Sequence, residues 1–298
     1  MEIRKVVIPI AGYGTRMLPM SLTTPKAMLP IVDRPLLHQV VEEAVACGIN
    51  QVIIVIGPRQ QAPLDYFTRV PQLEAHLEER IRPLLKLREE VQFTYVLQEE
   101  YLGLGHAVAL TRKAVGDEPF AVMLPDDVIV GHPPPMRRLL KVAQEQNASA
   151  IAVEKVPLHQ ISAYGIIRSS QIEDDLYQVS DLVEKPAAEK APSDLAIIGR
   201  YVFTPRVFDA LETISPGAGG ELQLTDGLAS LLKEQRVFAV RLRGSRFDAG
   251  TPIGLLKASI ALALKRPEIG PELREWLQHE LNQSGTNESD IAPRTTEN

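Results

Sequence analysis

Residues 6–30 read VVIPIAGYGTRMLPMSLTTPKAMLP. Val6, Val7, Ile8 and Ile10 form the β-branched run of a buried strand, which empties into Gly12 and Gly14, then Arg16 and, past two prolines, Lys26. Glycines let backbone N–H groups approach a ligand, while Arg16 offers a planar fork and Lys26 a point charge. A tight turn with two surface cations is the plainer reading of the glycines alone. The spacing, however, is Gly-x-Gly-x-Arg. It lacks both the third glycine of a dinucleotide fingerprint and the Gly-Lys-Ser/Thr ending of a P-loop. Pro19, Pro25 and Pro30 prevent one long helix, so Arg16 and Lys26 belong to a loop folded over something anionic.

Composition limits what that anion is. The chain has 298 residues, 45% of them hydrophobic, and a net charge of −6, enough for one large core and without a global basic field. Nucleic acid and anionic membranes are therefore not expected partners, and a phosphate must be held by local cations. Cys47 is the single cysteine, which excludes an intrachain disulfide or a cysteine metal cluster and reads as a buried structural thiol. Pro9 and Gly12 interrupt the N-terminal apolar run before it reaches signal-peptide length, and no run approaches membrane-spanning length, so a cytoplasmic protein is expected.

Outward from the first strand, Leu36, Leu37, Val40, Val41, Ala44 and Val45 recur at helical spacing up to Gly48, and Val52 to Ile56 is a continuous apolar strand. Strand, helix and strand in that order predict a right-handed parallel unit covered on both faces. A helix over Leu73 to Leu85 follows, then a strand from Val91 that delivers Gln98 to Gly103-Leu104-Gly105-His106 and another helix. A glutamine amide carries a donor and an acceptor and so matches the N3–H and O4 edge of uracil or thymine. His106 at a helix start reads as structural. Phe120 to Leu124 is a further strand, delivering Asp126-Asp127 to the sheet edge where doubly wound folds bind ligands. Magnesium takes only one or two protein carboxylates, so a sparse site is expected there; ordinary turn chemistry is the alternative.

Beyond Ser149 the segments shorten. Strands over Ile166 to Ser169 and Tyr177 to Val183, joined at Glu173-Asp174-Asp175, read as antiparallel additions. Val183-Glu184-Lys185-Pro186 ends the second; neighbours on a strand face opposite ways, so Glu184 and Lys185 are expected not to pair. Pro216 to Gly220 reads as a loop before the helix opened by Glu221-Leu222-Gln223-Leu224-Thr225-Asp226. Asp248 precedes a glycine turn and a helix capped by Thr251-Pro252. A helix over 271–281 follows, and 282–298 is polar and aperiodic, which predicts a disordered tail. Residues 1–281 then make one domain: a first half over about 1–150, a second over about 151–264, and the final helix.

GYGTRMLP followed by TTPKAMLPIVDRP resembles the signature of nucleotide-sugar pyrophosphorylases, in particular the bacterial UTP–glucose-1-phosphate uridylyltransferases. The resemblance runs from about Lys5 to Leu281. It implies an α/β fold with a Rossmann-like, doubly wound, mixed and mainly parallel sheet, helices on both faces and a small antiparallel sugar-binding insertion. It implies UTP and glucose 1-phosphate as substrates, UDP-glucose and pyrophosphate as products, Mg²⁺ as cofactor, and a homo-oligomer, dimer or tetramer. By the same resemblance Arg16, Lys26 and Lys185 are catalytic. Ala11, Gly12, Gly14, Gln98 and Gly103 hold the nucleotide, Gly165 and Glu184 the sugar, and Asp126 and Asp248 the metal, with Asp127 turned outward or touching the ribose. Three departures stand out: Ala27 where the family usually has glutamate, Leu102 where it has lysine, and Gly57-Pro58-Arg59 for a His-Ser-Ser stretch. They bear on the choice of nucleotide and sugar more than on the reaction class.

No serine, cysteine or histidine constellation reads as a nucleophile. A sugar 1-phosphate, with a second pKa of about 6, attacks without one, so direct in-line displacement at the α-phosphorus is expected. The alternatives are a pyrophosphorylase using dTTP or another sugar 1-phosphate, and a catalytically silent nucleotide-sugar-binding regulator.

Overall fold

The structure is a computed structural model that describes residues 2–69, 75–131, 133–217 and 220–287. The start of the helix expected from Leu73, positions 218–219 of the Pro216 loop and the tail beyond 287 lie outside the described residues. The first half runs β1 (Lys5–Pro9), β2 (Pro30–Ile31), β3 (Arg34–Pro35), α1 (Leu36–Ala46), β4 (Gln51–Ile56), α2 (Ala62–Thr68), α3 (Ala75–Glu90), β5 (Gln92–Leu97), α4 (Leu104–Ala109), α5 (Arg112–Val115), β6 (Phe120–Met123), β7 (Asp127–Val130) and α6 (Pro135–Gln146). The second runs β8 (Ser149–Lys155), β9 (Gly165–Glu173), β10 (Leu176–Glu184), β11 (Leu195–Phe203), α7 (Arg206–Thr213), α8 (Leu224–Leu231), β12 (Val237–Arg241), β13 (Ser245–Asp248), α9 (Pro252–Ala263) and α10 (Gly270–Asn287).

A nine-stranded sheet in the order β5-β4-β1-β6-β11-β8-β12-β10-β9 divides the molecule into two cores. Alternate residues of β1 go to opposite sides. Val6 and Ile8 join a cluster with Leu37 and Val40 of α1 and Leu139 of α6, whereas Val7 joins one with Val108 of α4, Phe208 of α7 and Leu228 of α8. That is why the strand reads as continuously apolar: both faces are covered, and each buried Val or Ile contributes about 1.5–3 kcal/mol.

The strands β5, β4, β1 and β6 pair in parallel. With β11 the direction reverses, since it runs antiparallel to both β6 and β8. β8 and β12 are parallel, and β10 is antiparallel to β12 and β9. The parallel character is thus concentrated in the first half. β1 has β4 on one side and β6 on the other, so the chain order switches at its carboxyl end, where a crevice opens.

Three local outcomes differ from the sequence reading. β7 and β13 form a separate two-stranded antiparallel ribbon that the sequence did not suggest; its register sets Asp248 opposite Asp127. α10 continues to Asn287, so 282–287, expected to be disordered, extend a helix already nucleated upstream. Cys47 is half-buried, and burial pushes its thiol up to about 11, which leaves it unreactive at neutral pH. The expected cap of α9 is present, with Thr251 Oγ1 accepting from the Gly254 N–H at 3.2 Å.

Candidate active site

Two cavities open at the carboxyl edge. One, of about 420 Å³, is lined by Ala11, Gly12, Gly14, Gln98 and Gly103, with Tyr13, Ala27 and Tyr101 beside them. The other, of about 580 Å³, is lined by Arg16, Gly165, Glu184, Lys185, Thr225, Arg246 and Asp248. Gly14, Lys26 and Asp126 line both, so the cavities meet where the first loop crosses the end of β6.

Gly14 stands at φ +64, the left-handed region that glycine adopts at no steric cost, and a Cβ there would come within 3.1 Å of Lys26 Cβ. The turn over Thr15–Met17 follows and carries Arg16 over the acids. Gly12, which also lines the first cavity, is different: a Cβ on it would meet nothing within 4 Å among the described residues.

The charges are already paired. Lys26 Nζ donates to Asp126 Oδ2 at 2.6 Å, and Arg16 Nη1 donates to Asp248 Oδ2 at 2.9 Å while its Nη2 lies 4.0 Å from Asp126. Burial pushes the Asp126 carboxyl up, but the charge and hydrogen bond of Lys26, with a backbone hydrogen bond and Arg16, hold it below the usual carboxylate range. Gly250 leaves the space between these groups. A Cβ on it would lie 2.8 Å from both Arg16 Nη2 and Asp126 Oδ2 and 2.9 Å from Asp248 Oδ1. Two carboxylates facing one small space, with no third His, Cys, Asp or Glu grouped with them among the described residues, fit a hard cation that keeps water and phosphate as its other ligands.

Asp127 does not turn outward. Its Oδ2 accepts from the Gly199 N–H at 2.7 Å, its Oδ1 from Arg246 Nη1, and it lies inside the site. Burial raises its carboxyl pKa, with Arg246 opposing and Asp126 adding to the rise. Beneath it Arg200, 2% exposed, donates to the backbone carbonyls of Leu124 at 2.9 Å and Asp127 at 2.9 Å and pairs with Glu43 at 2.7 Å. That guanidinium props the loop bearing Asp126 by satisfying the carbonyls on either side of it. Sequence reasoning passed over it, although an arginine in the middle of LAIIGRYVF is itself a signal. Arg246 was missed too: it pairs with Asp127 and Glu154 and donates to the Tyr164 hydroxyl at 2.8 Å, bracing the wall of the second cavity.

Glu184 and Lys185 do pair, Nζ to Oε1 at 3.2 Å, against the alternation argument. The reason is that β10 ends at Glu184 and Lys185 takes φ +44, which turns its side chain back to the same face. Glu184 Oε2 also accepts from Thr225 Oγ1 at 2.7 Å, and Gly165 makes room: a Cβ there would lie 2.9 Å from that hydroxyl.

Gln98 is 3% exposed. Its Nε2 donates to the Gly103 carbonyl at 3.2 Å and lies 3.0 Å from His106 Nδ1, so the amide's donor side, open in the sequence reading, is committed to the protein. Of the departures, Ala27 is buried against the first cavity, and Leu102 is exposed. A Cβ on Gly57 would lie 2.7 Å from the hydroxyl of Tyr101, whose ring stands 4.0 Å from that of Tyr13 at the mouth.

The arrangement suits a ligand with a planar polar head in one cavity, a polyol in the other, and phosphates between. Comparison with known proteins agrees. The nucleotidyl transferase family model matches residues 5–264. A UTP–glucose-1-phosphate uridylyltransferase of Bacillus subtilis is 42% identical over 286 residues, 94% of this chain and 98% of the relative, and one of Streptococcus pneumoniae is 44% identical over 285 residues, 93% and 95%. A crystal structure of a UDP-glucose pyrophosphorylase complexed with UDP-glucose superimposes with a TM-score of 0.84 at 40% identity, covering 89% of this chain and all of that one. A UTP-bound enzyme of the same kind from Acinetobacter baumannii gives 0.84 at 37% identity, covering 93% and 99%.

Proposed function

The chain belongs to the nucleotidyl transferase family, and we propose that it joins UTP to glucose 1-phosphate, making UDP-glucose and releasing pyrophosphate. The observation that carries this is the meeting of the two cavities at Gly14, Lys26 and Asp126. A base on Gln98 and a sugar on Glu184 leave their phosphates over that seam.

On this reading Ala11, Gly12, Gly14 and Gly103 follow the nucleotide with their backbone, and the Gly103 N–H donates to O4 of the base while Gln98 Oε1 accepts from N3–H. Gly165 and Glu184 receive sugar hydroxyls. Asp126 and Asp248 are the residues that would hold Mg²⁺; bound there, it supplies positive charge beside the α-phosphate and the departing pyrophosphate. Lys185 orients the attacking sugar phosphate, and Arg16 and Lys26, now resting on the acids, pass to the pyrophosphate oxygens. The sugar phosphate, a dianion above a pKa of about 6, attacks the α-phosphorus directly, because no protein nucleophile is needed. Residues 1–281 act as one domain, with a nucleotide half to about 150 and a sugar half to about 264. Trp276 and Leu281, 55% and 72% exposed on α10, are surfaces that a dimer or tetramer would cover. The setting proposed is cytoplasmic; among the described residues no helix is long and apolar enough to cross a membrane.

Isotope exchange tests the direct step. Labelled pyrophosphate is expected not to enter UTP unless glucose 1-phosphate or UDP-glucose is present. Exchange with UTP and metal alone would reveal a covalent uridylyl-enzyme and overturn the single displacement.

A further inference from the structure

We propose that His106 is a positioning residue that fixes the Gln98 amide with its oxygen toward the nucleotide, and thereby makes the site select uracil over cytosine. The proposal rests on the reading of Gln98 as the base contact.

A glutamine amide is nearly symmetric in shape, and turned over it would present a donor instead of an acceptor. Here the orientation is decided by chemistry. The Gly103 carbonyl can only accept, so the atom 3.2 Å away is Nε2. Its second hydrogen faces His106 Nδ1 at 3.0 Å, which accepts when the imidazole proton sits on Nε2. With both amide hydrogens bound, Oε1 accepts no hydrogen bond among the described residues, and Gln98 is part of the wall of the first cavity. A flipped amide would set oxygen against the Gly103 carbonyl, and in this tautomer against Nδ1 as well.

The histidine itself is held. α4 is preceded by Gly103, whose carbonyl also accepts from the Ala107 N–H at 3.1 Å; the Gly105 N–H donates to the Leu222 carbonyl at 2.8 Å, and the Leu222 N–H to the Leu102 carbonyl at 2.7 Å. Gly105 is buried with a Cβ position 2.7 Å from that Leu222 oxygen, so the helix start cannot slide. The consequence is a fixed acceptor. Uracil offers it the N3–H; cytosine offers a bare ring nitrogen, placing lone pair against lone pair. Thymine passes the same filter.

Dissociation constants for UTP and CTP, measured by titration calorimetry, test this. His106→Phe keeps an aromatic ring but removes the acceptor, and His106→Ala is a second acceptor-free variant should the first not fold; His106→Asn keeps an acceptor near the Nδ1 position. Either acceptor-free variant is expected to lower the UTP-to-CTP preference by on the order of tenfold, while His106→Asn retains most of it. A role confined to packing would weaken both nucleotides alike, and an unchanged preference in folded His106→Phe or His106→Ala overturns the proposal. Gln98→Leu separates the two layers. If it abolishes the preference and the His106 variants do not, only the positioning role falls; if it too leaves the preference intact, the reading of Gln98 falls with it.

Discussion

Gly250 shows how much of the site depends on an atom that is absent. Its missing Cβ leaves the space bounded by Arg16, Asp126 and Asp248, all of them side-chain ends able to move by a few tenths of an ångström. Gly250→Ala is therefore expected to fold with a nearly unchanged melting temperature. Turnover should fall by on the order of tenfold or more, and the Mg²⁺ concentration for half-maximal rate should rise, because the two carboxylates are pushed apart. Wild-type rates and metal dependence in that variant would contradict the placing of the cation between them. Lys185 makes the complementary point. Its left-handed backbone brings it beside Glu184, an arrangement strand alternation alone argues against.

Among the elements, the β7–β13 ribbon and the β9–β10 hairpin position what the main sheet cannot. The ribbon pairs Asp248 with Asp127 and so brings a residue 122 positions further along the chain than Asp126 to the same space. The hairpin is anchored at Asp175, 3% exposed at φ +61, whose carboxylate accepts from Arg241 and Arg243, each at 2.7 Å. Burial raises its pKa, but the Arg243 and Arg241 hydrogen bonds and charges outweigh it and hold the carboxyl below its usual range. A depressed carboxylate stabilises above its unfolded pKa, about 3.9, and the contribution is lost as pH falls through the lower folded value. Asp175→Asn tolerates the left-handed backbone but carries no charge. It is expected to cost about 1–2 kcal/mol at pH 7, the arginine ends being partly in water, and the difference in urea midpoint from wild type should close below about pH 4. A difference constant down to pH 3 would show that the charge contributes nothing.

At the scale of the whole molecule, the first half was legible because apolar runs and helical spacing obey local rules. The strand through Val6, Val7 and Ile8, the Leu36 helix and the loops after β5 and β6 stand where those rules put them. What escaped was non-local. Arg200 and Arg246 act through partners distant in sequence, Asp127 faces inward because of them, and the ribbon depends on a pairing that neither four-residue strand announces by itself. Of the departures, Ala27 lines the first cavity, Gly57 approaches Tyr101 of its wall, and Leu102 stands between Tyr101 and Gly103, so none falls on the acids and cations where the two cavities meet. The most direct measurement is pyrophosphate release with Mg²⁺ from UTP, dTTP, ATP, CTP and GTP, each against glucose-, galactose-, N-acetylglucosamine- and mannose-1-phosphate. UTP with glucose 1-phosphate is expected to give the highest kcat/KM. A different winning pair would keep the reaction and contradict the substrates, whereas binding of UTP or UDP-glucose without release from any pair would contradict the enzyme itself.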